Sequence, residues 1–187
     1  MVFEFPGKAH VFVDESKSNG YYIAAAVVAP ADVVGARSAI RGLRYKGSRS
    51  VHFKNESDSH RRVFLKGAAD TGVKAIVYVM KGQPDKVARP ACLGALMDDL
   101  CANTAQRLVL DQDDSLAAAD RRLIAEHLRS SGYRDLVYTH QKSREEPFCG
   151  SVMRWPGATR KAGYGPRKSP RWWRRSGCCN RGRGKLG

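Results

Sequence analysis

The sequence predicts an α/β fold: a mixed β-sheet flanked by helices. Three observations carry this. The chain opens on two apolar segments separated by a short polar turn, so its first two strands form a hairpin. Apolar runs of strand length then alternate with segments of helical periodicity. The glycine-rich fingerprint of a pyrophosphate turn is missing after the first strand, which excludes a simple dinucleotide-binding arrangement.

Each element follows from local chemistry. "AHVFVD" is a strand with Val11 and Val13 on one face and Phe12 on the other. "KSNG" supplies turn residues, with Asn19-Gly20 as a hairpin signal, and "YYIAAAVVA" returns as a buried strand. Pro30 opens a helical stretch in which Val33, Ala36, Ile40 and Leu43 keep helical spacing, and Gly47 ends it. "SVHFKNES" reads as extended. "DSHRRVFLKGAADTG" reads as a helix with Val63, Phe64 and Leu65 toward the core and Gly72 past its end. "VKAIVYVMKG" is a central strand. A helix follows with Cys92, Leu93, Leu96, Met97, Leu100 and Cys101 on one stripe. "RLVLD" is a strand, and "SLAAADRRLIAEHLRSSG" a helix with Ser115 as N-cap. "YRDLVYTHQKS" is a last strand.

A chain of 187 residues is long enough to bury one core without metal or disulfide staples. No apolar run of about 18 residues indicates a membrane span. "MVFEFPGKAH" lacks the basic-then-apolar pattern of a secretory signal, so a cytoplasmic setting is expected. The five cysteines are then reduced thiols, their odd count fitting no disulfide framework. Cys92 and Cys101, on an apolar stripe, read as buried and inert. His60, His127 and His140 show no metal-ligand spacing and read as solvated or structural.

The formal charge of +15 is unevenly distributed. Residues 148–187 carry 11 Lys and Arg and no acid, leaving 22 basic against 18 acidic residues, net +4, in the body. The expected organisation is a domain over 1–147 and a basic tail over 148–187.

Carboxylates gather where strands end. Asp14 closes the first strand and Asp111 closes "RLVLD", with Asp113 and Asp114 just beyond. In α/β sheets, ligands collect outside the carboxyl ends of strands. Converging carboxylates repel one another unless a cation lies among them, and hard oxygen donors suit Mg²⁺ or Mn²⁺. Two such ions in one site activate water and stabilise the leaving oxygen in phosphodiester cleavage. Acidic residues also serve as turn formers and helix caps, and Asp113 or Asp114 fits that role before the helix near Ser115. His52 is a candidate to orient water or contact phosphate, or a hydrogen-bonded structural residue. Glu56 is a further candidate carboxylate, or a turn residue.

"VFVDESKSNGYYIAAAVV", "VHFKNES" and "RLVLDQDDS" together resemble the bacterial family known as domain of unknown function 3800. That family shares a "DES" motif ending the first strand, an "HF" motif after the first helix and a later strand-end Asp. The resemblance runs from about His10 to Glu146; Lys17 stands where the family usually has glycine. It implies a ribonuclease H-like fold, whose nucleases hold two divalent metals in Asp/Glu clusters. Asp14 and Asp111 would then be ligands. Glu15 belongs to the motif, but a regular strand points it to the face opposite Asp14.

The tail holds all three tryptophans, three of five cysteines and 8 of 18 glycines, with only Val152 and Leu186 from Leu, Ile and Val. Such a composition cannot bury enough apolar surface to offset its ordering entropy. It reads as a disordered basic arm, with Trp172 and Trp173 stacking on bases; as a zinc tail using Cys178 and Cys179; or as a shifted reading frame after about Pro147. Permitted codons for "FCGSVMRWPGATR", read with one restored nucleotide, encode an apolar, helical peptide containing Gly-Asp. This is one of the readings that codon degeneracy allows, and it resembles the family's terminal helix, whose Asp would by that resemblance be the remaining metal carboxylate. The frame-shifted chain would lack that last core helix.

The function expected is therefore that of an ancestral divalent-metal-dependent nuclease or phosphodiesterase, impaired by loss of the C-terminal helix. Mg²⁺ or Mn²⁺ and nucleic acid are the expected cofactor and partner. The alternative is a non-enzymatic nucleic-acid-binding protein acting through its Arg/Trp-rich tail.

Overall fold

A computed structural model describes residues 4–17, 20–43, 59, 63, 66–67, 70–142, 145–149 and, as backbone, 173–175. The expected segments "SVHFKNES" and Gly47, and most of the tail, lie outside these residues. Strands β1 (His10–Ser16) and β2 (Tyr21–Val28) form the hairpin. Helix α1 (Val33–Gly42) follows a 3-10 turn at Pro30–Asp32. Then come β3 (Lys74–Met80), α2 (Asp85–Ala102), β4 (Arg107–Asp111), α3 (Ala117–Ser131), β5 (Val137–Gln141) and β6 (Trp173–Arg175).

The sheet order is β5-β4-β1-β2-β3-β6. β1–β2 and β2–β3 are antiparallel, whereas β1–β4, β4–β5 and β3–β6 are parallel. This is the expected mixed sheet. β6 adds a short regular element to a tail whose composition suggests none.

The period-2 alternation of β1 divides the core. Phe12 joins Ala24, Ala26, Val33, Ala36 and Ile40 on the α1 face. Val11 and Val13 join Leu93, Leu96, Met97 and Ile124 on the α2–α3 face. All eight residues of β2 are buried, as expected of a strand covered on both faces. Gly20, in the turn into β2, has φ +123, and a Cβ there would come within 3.1 Å of the Met80 carbonyl. A glycine is therefore required in that turn. Gly132 caps α3 with φ +69.

Four expectations are corrected. β1 continues two residues past Asp14, because Glu15 and Ser16 keep pairing with Ile23 and Tyr22. Val63 is exposed, on one helical stripe with Ser59, Lys66 and Asp70; Lys66 pairs with Asp70 at 3.0 Å along that solvent face. Cys101 is only half-buried, its Sγ accepting from the Ser131 hydroxyl at 3.4 Å. Ser115 is not the N-cap: α3 begins at Ala117, and Ser115 turns its hydroxyl toward Asp113.

The backbone of residues 145–149 returns to the α1 face. Phe148 stacks on Phe12 with ring centroids 4.4 Å apart, and Cys149 is buried beside it. These two residues pack as part of the body's core although they follow the boundary expected at Pro147. Among the described residues, no helix is long and apolar enough to cross a membrane.

Candidate functional site

A cleft of about 470 Å³ opens at the carboxyl ends of β1 and β4. Its lining includes Asp14, Glu15, Asp111, Asp113 and Asp114, and Arg89 is the one basic residue among them. Parallel pairing sets its centre. Val13 lies opposite Leu110, so Asp14 and Asp111 are the next neighbours on adjacent strands. Both share the face of Phe12 and Val109, two residues earlier. Asp14 is buried, and its Oδ1 accepts the Glu15 amide at 2.9 Å.

Cys149 lies near this pair. Burial pushes its thiol pKa up strongly, and the neighbouring Asp111, Glu146 and Asp14 add to the effect. These effects favour the neutral thiol.

The remaining candidates are engaged differently. Asp113 accepts the Ser115 hydroxyl at 2.6 Å and the Ser115 amide at 3.0 Å. Its carbonyl receives the amides of Leu116 and Ala117. These Ser115 hydrogen bonds lower its pKa, so Asp113 serves as the turn and cap before α3. Asp114 is exposed and accepts from the Gln112 amide at 2.7 Å. His52 and Glu56 lie outside the described residues.

Glu15 reaches the cleft from the α2–α3 face, where it meets a network absent from the sequence reading. The Arg89 Nη1 and the Tyr21 hydroxyl both donate to Glu15 Oε2, and Nη1 also contacts the Tyr21 oxygen at 2.6 Å. Arg89 Nε and Nη2 grip the two oxygens of Asp120 at 3.0 and 2.8 Å. His140 Nε2 lies 3.4 Å from Asp120 Oδ2, so His140, a half-buried residue, takes the structural one of its two expected roles. Asp120 is only 3% exposed. Burial, followed by nearby acids headed by Asp120, raises the Tyr21 pKa far above the usual phenol value. Tyr21 therefore stays a hydrogen-bond donor.

A sequence signal for Asp120 exists: it stands at helical spacing with buried Ala117 and Ile124. An acid on an apolar stripe needs a buried partner. Arg89, between Ala88 and Pro90, carries no such mark.

On the α1 face, Glu146 is a buried acid, as Asp14 and Asp120 are. Arg37 Nε and Nη2 meet its Oε2 at 3.0 and 2.5 Å. Among the described residues, no group of three or more His, Cys, Asp or Glu side chains is arranged to hold a metal ion.

No protein-family model and no curated protein matches this sequence. The fold is nevertheless similar to one in a solved structure of the PCNA:RNase HII complex from Archaeoglobus fulgidus. The match has a TM-score of 0.53 at 14% identity, over 82% of this chain and 73% of that one. The cleft between Asp14 and Asp111 thus lies on a ribonuclease H-like fold.

Proposed function

We propose that this chain is a ribonuclease H-like phosphodiesterase of the family known as domain of unknown function 3800, with Asp14 and Asp111 as its metal carboxylates. The observation that carries the reading is their placement side by side at the carboxyl ends of parallel strands, in an acidic cleft. A polyanionic substrate is repelled from such a cleft unless a cation intervenes. Two hard carboxylates fit Mg²⁺ or Mn²⁺, which complete their shells with water and substrate phosphate. When bound, such an ion polarises the phosphoryl group and activates water.

The chain's own residues supply the rest. Asp14 is held by the Glu15 amide. Asp113 fixes the turn leading out of β4. Val13, Ile23, Leu93 and Leu110, from the α2–α3 face, add apolar lining to the same cleft. The nuclease identity of the Archaeoglobus protein supports nucleic acid as the substrate class. Loss of a terminal acidic helix through a frame change after about Pro147 would leave this form impaired.

The test uses the purified chain, as written and with the frame restored after Pro147. Each is incubated with single- and double-stranded DNA and RNA oligonucleotides in Mg²⁺, Mn²⁺ or chelator. The expected result is metal-dependent cleavage by the restored form, little by the chain as written, and weaker Mn²⁺ binding in Asp14→Asn of both. No cleavage by either form, with unchanged Mn²⁺ binding in Asp14→Asn, overturns the proposal.

A further inference from the structure

Two hydrogen-bond donors and one more distant ammonium converge on one carboxylate in the cleft wall. Glu15 Oε2 receives Arg89 Nη1 and the Tyr21 hydroxyl, and Glu15 Oε1 lies 3.8 Å from Lys17 Nζ, an ammonium that also sits 3.9 Å from Asp85 Oδ2. Their origins differ: Arg89 comes from α2, Tyr21 from the start of β2, and Lys17 from the residue just after β1. Their arrangement is rigid at its base. Asp120 holds Arg89 through two hydrogen bonds, so the guanidinium needs no reordering to present Nη1. Arg89 is only 12% exposed, which strengthens its pull on an anion. Tyr21 adds a neutral donor that remains protonated at working pH.

We propose that Arg89, Tyr21 and Lys17 form an oxyanion pocket for a substrate phosphate, and that the Glu15 carboxylate fills it as a built-in competitor. The inference rests on the phosphodiesterase reading and deepens it, by assigning the phosphate contact of the same cleft. A phosphate offers the same oxygen acceptors as a carboxylate, with an additional oxygen for Lys17. Displaced from the pocket, Glu15 turns toward solvent at the strand end, where its side chain is already 23% exposed. The pocket lies on the opposite sheet face from Asp14 and Asp111 and meets their cleft through Glu15 and Arg89, which line it.

The probe is inorganic phosphate, titrated by calorimetry into the purified full chain without divalent metal. Glu15→Ala should bind phosphate at least about tenfold more tightly than the parent, a change of about 1.4 kcal/mol. Adding Tyr21→Phe to Glu15→Ala should remove most of that gain. A gain that survives Tyr21→Phe reflects only the lost negative charge and overturns the pocket, as does no gain at all. Glu15→Gln, which keeps the side chain's shape, is the second variant if Glu15→Ala does not fold. It is expected to bind phosphate more tightly than the parent, and equal binding overturns the proposal. Asp14→Asn in the Glu15→Ala background should leave phosphate binding intact while weakening Mn²⁺ binding. Failure of the pocket and failure of the metal site thus register in different titrations.

Discussion

Arg37 and Glu146 clasp residues 145–149 to α1 through a two-point ion pair, with Nη2 2.5 Å from Oε2. The same guanidinium carbon lies 5.3 Å from the centroid of the Phe12 ring, within cation–π range. Glu146 also accepts the Phe148 amide at 3.3 Å. One buried carboxylate therefore ties a helix, a strand residue and a returning segment together. Replacing Arg37 with Met leaves Glu146 uncompensated in a site only 3% exposed. Breaking a buried pair typically costs 3–5 kcal/mol. Arg37 is 28% exposed, so the expected loss is smaller, about 2–3 kcal/mol. Urea denaturation measures it; a loss below about 0.5 kcal/mol would show that the clasp contributes nothing.

Phe148 gives an independent measure of the same segment. It is fully buried and stacked on Phe12. Phe148→Ala removes that ring from the α1-face core, and such truncations cost about 3–5 kcal/mol. Phe148→Leu keeps most of the volume and should cost about half as much. The pair of variants, compared by thermal melting, separates lost volume from lost stacking. Wild-type stability in both would mean that residues 145–149 do not cover the α1 face in solution.

The strand framework was legible because its signals are local. β4 occupies the residues Arg107–Asp111 that the apolar run marks, since a charged residue bounds it at each end. β1 misled by two residues: "DES" looks polar, yet backbone pairing with β2 carries the strand on to Ser16. The candidate site divides the same way. Asp111 stands at a strand end and Asp14 two residues before one, positions that patterning can find. Arg89 reaches Glu15 across 74 residues and Asp120 across 31, and no local pattern encodes either contact. Side-chain networks arise from tertiary packing, so they became visible only once α2 and α3 lay on one face of the sheet.

His10 makes stability depend on pH. Burial lowers its pKa below the usual imidazole value, helped by the charges of Arg107 and Arg37. Its Nδ1 is buried with no hydrogen-bond partner among the described residues. The folded chain thus binds a proton at His10 less readily than the unfolded chain does. The sign follows from linkage: its contribution is fully present above about pH 6.5, the unfolded value, and is lost as pH falls through the lower folded value. Stability should fall on acidification from about pH 7 to 5, with a slope from this group no steeper than about 1.4 kcal/mol per pH unit. Urea midpoints at several pH values check this. His10→Gln should flatten the dependence, and an unchanged slope would assign it to other groups.

Asp14 and Asp111 predict opposite effects of one substitution with and without metal. The two carboxylates occupy neighbouring positions on paired strands, with Asp14 buried. Backbones of paired strands are about 4.8 Å apart, so two like charges there repel at short range and low solvation. Functional sites commonly hold such strain at the expense of stability. In chelator, Asp111→Asn should therefore stabilise the chain, by about 0.5–1 kcal/mol, since like charges directly opposite destabilise a pair. In saturating Mn²⁺ the order should reverse, because the parent gains binding energy that the variant has lost. Paired thermal melts, with chelator and with Mn²⁺, read both effects from the same two proteins. If Asp111→Asn destabilises the chain in chelator, the carboxylate is a structural hydrogen-bond acceptor. If Mn²⁺ raises both melting temperatures equally, the ion binds elsewhere. The crossing of the two orders is the signature of a cation held at Asp111, and the same crossing in Asp14→Asn shows that the two carboxylates share it.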